Sequence, residues 1–330
     1  MKLHLDENAF RVLLEDIHSR TGYRMDVLEK DYYVVLILEE LAKMQKDGLL
    51  AYFKGGTALY KALHTTNRFS EDIDLSVDTR NCSRTQNDRR LEKAAKKYTS
   101  LNRIVDEGRT NRSEVIAVYS YSPVTSYDKN DTLQRFGKLK VEATSFTISE
   151  PVTSMEVSAM IYDYATSSQK SILEKIYGVK PFMVETITLE RIFIDKLFAA
   201  ESYTRKADKE ERAFEAAKHI YDLAVMRKIT RVVELLNNAV KMEKLLKIRL
   251  KEVTGRLDGC YGVYPRDFQF FDEVKKNKQI INAYDVMQKQ YVLRECDRIP
   301  FSTVIKDLDL IRQSLNENIA WMNAEVISVN

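Results

Sequence analysis

The sequence predicts an α+β protein in two parts: a small mixed sheet flanked by helices over residues 1–180, then a helical half over residues 181–330. Three observations predict it. A short apolar stretch, a Gly-Gly pair, a helix-like run and an alternating stretch follow one another between Leu49 and Val77. From about Thr188, five successive stretches carry helical spacing. Only 5 prolines and 10 glycines occur in 330 residues, so long linkers are not expected and ordered helices should dominate.

In order, Asn8–Arg20 reads as a helix, with Phe10, Leu13, Leu14 and Ile17 on one face. Met25–Lys46 reads as a longer helix, apolar on both sides of Tyr33–Leu41 and therefore buried, with Gly48 ending it. Leu49–Lys54 has the character of a strand, and Thr57–His64 of a helix starting directly after Gly55-Gly56. Glu71–Val77 alternates, with Ile73, Leu75 and Val77 on one face and Asp72, Asp74 and Ser76 on the other. Glu92–Leu101 reads as a helix, Val115–Tyr121 and Lys138–Phe146 as strands, and the polar region Tyr119–Lys138 as a connection. Past a boundary near Pro181, Leu189–Ser202, Lys209–Arg227, Ile229–Lys251, Asp267–Gln290 and Thr303–Ile327 all read as helices.

Composition bounds the function without naming it. The net charge of +3 neither requires nor excludes a nucleic-acid partner. Cys82, Cys260 and Cys296 are far apart and odd in number, so a zinc ribbon or a disulfide framework is not expected, and a reducing, cytoplasmic setting fits better. The acidic start is unlike a signal peptide. No stretch approaches the roughly 18 apolar residues of a membrane span.

Chemistry concentrates in Phe53–Asp78. Transfer of a phosphoryl or nucleotidyl group needs a grip on the phosphates and divalent ions against the charge that develops. Gly55 and Gly56 leave backbone N–H groups and a helix start open to phosphate oxygens, and Thr57 adds a hydroxyl. Asp72 and Asp74, two apart on a strand, point the same way and present hard oxygen ligands suited to Mg2+, with Mn2+ as the alternative. Ser70 lies two residues further back and can bind phosphate, while Arg68 can cap the site with positive charge. Alone, a Gly-Gly turn or an Asp-X-Asp strand is usually an ordinary turn or a solvated face; the spacing of the two together is the signal.

The sequence GGT, a helix of about a dozen residues and then RFSEDIDL resembles the core motif of polymerase-beta-type nucleotidyltransferases, and in detail the AbiEii/AbiGii toxin family. Glu29-Lys30-Asp31-Tyr32 resembles that family's E-K-D-Y segment. ERIFIDKLFA at Glu190–Ala199 and KHIYDL at Lys218–Leu223 resemble its distal lysine and aspartate motifs, so the resemblance runs from about residue 25 to about 228. It implies a nucleotidyltransferase toxin of a toxin–antitoxin or phage-abortive system, neutralised by a cognate antitoxin. An NTP would be the donor and RNA, at the tRNA 3′ end, the acceptor; a protein hydroxyl is the other candidate. It further implies that Lys196 reaches the nucleotide phosphates and that Asp222 is a required active-site residue. The active site would then lie in a cleft between the halves.

Each of these residues also has a plainer reading. Lys196 can be a surface lysine paired with Asp195 or Glu201, and Asp222 can pair with Lys218 four residues before it. Glu142 can be a third metal-binding carboxylate from a neighbouring strand, or a strand glutamate paired with Lys140 on the same face. Glu29, Lys30 and Asp31 can tie the N-terminal helix to the core. The basic clusters Arg89-Arg90, Lys96-Lys97, Lys244–Lys251 and Lys275–Lys278 are by default solvated helix faces. Two further functions stay open: a nucleotide- or RNA-binding module without transferase activity, and a kinase-like transfer of the γ-phosphate to a protein.

Overall fold

The computed structural model describes residues 1–64, 67–125, 136–205, 207, 209–253 and 263–325. Contacts divide it into two units. The first takes in Met1–His64 and Arg68–Ile187, the second Asn67 and the described residues from Thr188 onward.

The first unit is built on a seven-stranded mixed sheet. Its strands are β1 (Ala51–Lys54), β2 (Ile73–Val77), β3 (Asn102–Asn111), β4 (Glu114–Ser120), β5 (Lys138–Thr144), β6 (Val152–Val157) and β7 (Phe182–Ile187), in the order β3-β4-β5-β2-β1-β7-β6. The pairs β1–β7 and β2–β5 are parallel and the others antiparallel. Helix α1 (Glu7–Thr21) starts where Asp6 accepts the Ala9 N–H and stops at Gly22, which takes the left-handed conformation at φ 74°. Helix α2 (Met25–Lys46) is the unit's central rod, buried from Asp26 to Leu38, Glu29, Lys30 and Asp31 included, and it packs on β7. The short α3 (Gly55–Lys61) follows β1 with no intervening residue. Helix α4 (Arg84–Lys96) covers β4 and β5, and α5 (Met160–Asp163) and α6 (Ser167–Lys175) precede β7.

The second unit is helical: α7 (Leu189–Thr204), α8 (Glu210–Met226), α9 (Thr230–Leu236), α10 (Ala239–Val253), α11 (Phe270–Lys276), α12 (Lys278–Tyr291), α13 (Phe301–Glu317) and α14 (Ile319–Met322). Helix α8 is the hub against which α7, α12 and α13 pack. Trp321, 2% exposed, closes the core edge-on against Phe198 and Phe268.

The α+β class holds, with a larger sheet than expected. β3, β6 and β7 have no counterpart in the sequence reading. β3 is exposed along nearly its whole length, so it carries no burial pattern, and β6 is the opposite edge of the sheet. β7 extends the first unit to Ile187, past Pro181. The helix expected at Glu92–Leu101 instead starts at Arg84, because Ser83 and Gln86 form a reciprocal capping box. The expected strand at Glu71 begins only at Ile73, leaving Glu71 and Asp72 in its lead-in. Three helices expected to be continuous are broken at asparagines. Asn238 accepts the Lys241 N–H, Asn277 caps α12, and Asn318 caps α14. The region Tyr119–Lys138, Cys260 and the end of the expected last helix fall partly or wholly outside the described residues.

Candidate active site

The antiparallel pairing of β1 with β2 sets Lys54 opposite Asp74, so the turn into α3 passes directly over the Asp-X-Asp pair. Gly55 sits there at φ 78°, and a Cβ on it would overlap Asp74 Oδ2 and stand 3.0 Å from Asp74 Cγ. Only glycine allows both the conformation and the approach. A Cβ on Gly56 would come 2.9 Å from Ser70 Oγ and 3.1 Å from Arg68 Nη2. Thr57 is buried; its Oγ1 donates to the Asp72 carbonyl oxygen and stands 3.0 Å from Ser70 Oγ. Thus Gly55, Gly56, Thr57, Arg68, Ser70, Asp72 and Asp74 are gathered at one end of the β1–β2 pair, as the motif spacing requires.

Glu142 joins them from the neighbouring strand, where β5 runs parallel to β2 with Asp74 opposite Glu142. Glu142 pairs with Lys140, its partner in the plainer reading, at 3.4 Å, and Lys140 also reaches Asp72 Oδ2 at 3.0 Å. Crowding of acids has the expected effect. Desolvation, then the charges of Glu142 and Asp72, push the Asp74 carboxyl up to about 7 against the pull of Lys140 and Lys54. Burial would lower Lys140, yet Asp72, Asp74 and Glu142 outweigh it and hold the ammonium above its usual range.

Three consecutive residues of α2 brace this site from behind. Glu29 accepts the backbone N–H groups of Val124 and Thr125. Lys30 pairs with Glu71, which immediately precedes Asp72, and both are buried. Asp31 pairs with Lys61 of α3 at 2.8 Å and accepts the Met160 N–H at the start of α5. One helical turn thereby fixes the lead into β2, the helix after the glycines and two loops. The tie expected between the N-terminal helix and the core is present. Its partners Glu71 and Lys61 were not singled out in the sequence, although Glu71 lies inside the SEDID motif itself.

In the second unit, Lys196 of α7 and Asp222 of α8 form an ion pair at 2.8 Å, with side-chain exposures of 9% and 0%. The partners of the plainer reading are engaged elsewhere among the described residues. Asp195 instead pairs with Arg191 and Arg249, Glu201 with Arg205, and Lys218 with Glu215. His219 lies beside the Tyr203 ring at 5.2 Å.

Among the described residues, no group of three or more His, Cys, Asp or Glu side chains is gathered that could hold a metal ion. Two do fit one: Asp72 and Asp74 share a face against the open glycine turn, and magnesium takes one or two carboxylates with substrate phosphates and waters completing its shell. Among the described residues, no helix is long and apolar enough to cross a membrane.

A glycine turn seated on a strand Asp-X-Asp, with a third acid on the adjacent strand, makes this protein a nucleotidyltransferase. The chain belongs to the family described as nucleotidyl transferase AbiEii toxin, type IV toxin–antitoxin system, whose sequence model matches residues 36–298. The match extends about seventy residues beyond the last recognisable motif, near residue 228. Membership brings with it an NTP substrate and an antitoxin partner. Among solved structures, JHP933 from Helicobacter pylori aligns at 17% identity over 92% of this chain and 98% of its own, with a TM-score of 0.39. MenT4, the nucleotidyltransferase toxin Rv2826c from Mycobacterium tuberculosis H37Rv, aligns at 16% identity over 92% of this chain and 99% of its own, with a TM-score of 0.40. A putative nucleotidyltransferase from H. pylori aligns at 18% identity over 88% and 96%, with a TM-score of 0.36. No curated protein matches the sequence.

Proposed function

We propose that this toxin is a magnesium-dependent enzyme that transfers a nucleotide from an NTP to RNA, at the 3′ end of tRNA. The observation that carries the reading is the Gly55 backbone laid against Asp74, with Thr57 tied to the Asp72 carbonyl and to Ser70. A turn without side chains there lets a triphosphate approach the main chain beside two carboxylates. Gly55–Thr57, Arg68 and Ser70 hold the phosphates, and Asp72 and Asp74, with Glu142 beside them, would hold the magnesium ion, which would supply neutralisation of charge on the phosphates. The acceptor hydroxyl forms a bond to the α-phosphorus and gives up its proton to water, the bond from that phosphorus to the bridging oxygen breaks, and pyrophosphate leaves. Lys196 serves as a phosphate-binding cation and Asp222 fixes its ammonium; their burial and close pairing support the role of a lysine held in one place.

Charge on the first unit supports RNA over a protein acceptor. A hollow of about 380 Å³ is lined by Arg80, Arg89, Arg90 and Lys93, the last three from two adjacent turns of α4. Arg80 is engaged by Asp78 and Glu150 and Arg90 donates to the Asp78 carbonyl oxygen, which leaves Arg89 and Lys93 as the cations best placed for a phosphate backbone. Incubation with labelled NTPs, magnesium and total RNA tests the reading. Label should enter tRNA with wild type and not with Asp72→Ala, and expression of Asp72→Ala should be tolerated. Unlabelled RNA together with undiminished toxicity of Asp72→Ala would overturn it.

A further inference from the structure

We propose that Lys140 is a built-in second cation of this site: its ammonium stands where a two-ion site would place one divalent ion, so the chain works with a single divalent ion. The proposal rests on the reading above that Asp72 and Asp74 hold that ion.

The placement follows from the sheet. With Ile73 opposite Val141 and Asp74 opposite Glu142, one step back sets Asp72 level with Lys140. Side chains two apart on a strand share a face, so Asp72, Asp74, Lys140 and Glu142 project together. The Lys140 ammonium bridges the two strands, 3.0 Å from Asp72 Oδ2 and 3.4 Å from Glu142 Oε2. One of those acids belongs to the Asp-X-Asp pair and the other to the neighbouring strand. An ammonium held between these two acids occupies the space a second divalent ion would need, about 3.5–4 Å from the first. A lysine ammonium is a compact point charge with three donors and can satisfy two carboxylates at once.

Charge balance agrees. Once a bound ion has displaced the Asp74 proton, three carboxylates and one ammonium leave two negative charges, which one divalent ion neutralises. Without the ammonium, three negative charges face the same space, and relief of their repulsion favours a further ion. The lysine is part of the chain, so the cation it supplies is present before nucleotide arrives and does not depend on free metal.

Counting ions tests this. Mn2+ is titrated into the full chain with a non-hydrolysable NTP analogue and followed by electron paramagnetic resonance, with circular dichroism verifying the fold of each variant. Wild type and Lys140→Arg should bind one Mn2+ per bound nucleotide. Lys140→Met should bind two, and its thermal midpoint should rise with Mn2+ more than that of wild type. Lys140→Gln serves as the second neutral variant should Lys140→Met fail to fold. Two ions in wild type, both lost in Asp72→Asn/Asp74→Asn, would overturn the role of Lys140 and leave the metal site standing. One ion in a folded neutral variant would likewise overturn it. No Mn2+ on wild type would overturn both the lysine's role and the site on which it rests.

Discussion

Lys30, in the second turn of α2, is paired with Glu71, the residue next to Asp72, and both side chains are buried. Removing one partner of a buried ion pair typically costs up to about 3–5 kcal/mol, because the remaining charge stays desolvated. Lys30→Met should therefore destabilise the protein by roughly that amount in urea denaturation. Lys30→Met/Glu71→Leu should recover part of the loss, because the buried carboxylate that lost its lysine is gone as well. Equal stability of the single and double variants would show that the ion pair does not brace the strand that leads into the site.

Gly55 should tolerate no side chain. Alanine there would be left-handed at φ 78° and would overlap Asp74 Oδ2. The conformation and the crowding together should cost about 2–4 kcal/mol. Gly55→Ala should also abolish nucleotide binding measured by calorimetry, since relief of the overlap must move Asp74 or the turn. Gly56→Ala meets the mobile end of Ser70 and should be milder in stability.

The pH dependence turns on Asp74, whose carboxyl is raised to about 7 by desolvation and by Glu142. Its unfolded value is near 4, so the folded state binds this proton more tightly. Stability from this group is complete below about 4 and is lost as pH rises through about 7. The metal-free protein should therefore lose thermal midpoint across that window, and Asp74→Asn should remove much of the slope. A divalent ion must displace the same proton, so Mn2+ affinity should climb about tenfold per pH unit below about 7 and level above it.

Asp222 holds Lys196 at 2.8 Å with its own carboxylate fully buried. Asp222→Asn keeps the shape and removes the charge that aims the ammonium. Activity should fall by about 10²-fold, since a catalytic group displaced by as little as 1 Å loses about that much. Lys196→Met should lose more, measured as nucleotide incorporation into RNA. Wild-type rates in both variants would reduce the pair to a structural contact.

The donor side of the site was legible because its parts are local. Gly55, Gly56, Ser70, Asp72 and Asp74 lie within twenty residues, and a turn followed by a two-residue step fixes their relation. Lys140 was visible only as a neighbour of Glu142; its bridge to Asp72 depends on the register of β5 against β2, which no local pattern encodes. The bracing by Glu29, Lys30 and Asp31 was half legible. Three charges in a buried helix demand partners, but those partners lie up to 129 residues away. Helix ends were the weakest reading, because helical spacing runs on through Asn277 and Asn318 and only the capping bonds mark the breaks. β3 left no trace because a strand exposed along nearly its whole length has no alternation to display.

The identity of the leaving group tests nucleotidyl transfer most directly. The protein is given magnesium and RNA with NTP labelled in parallel at the α- and at the γ-phosphate. Incorporation of the α-label into RNA with the γ-label released as pyrophosphate, both lost in Asp72→Ala, is the predicted result. Incorporation of the γ-label with release of a nucleoside diphosphate would contradict it.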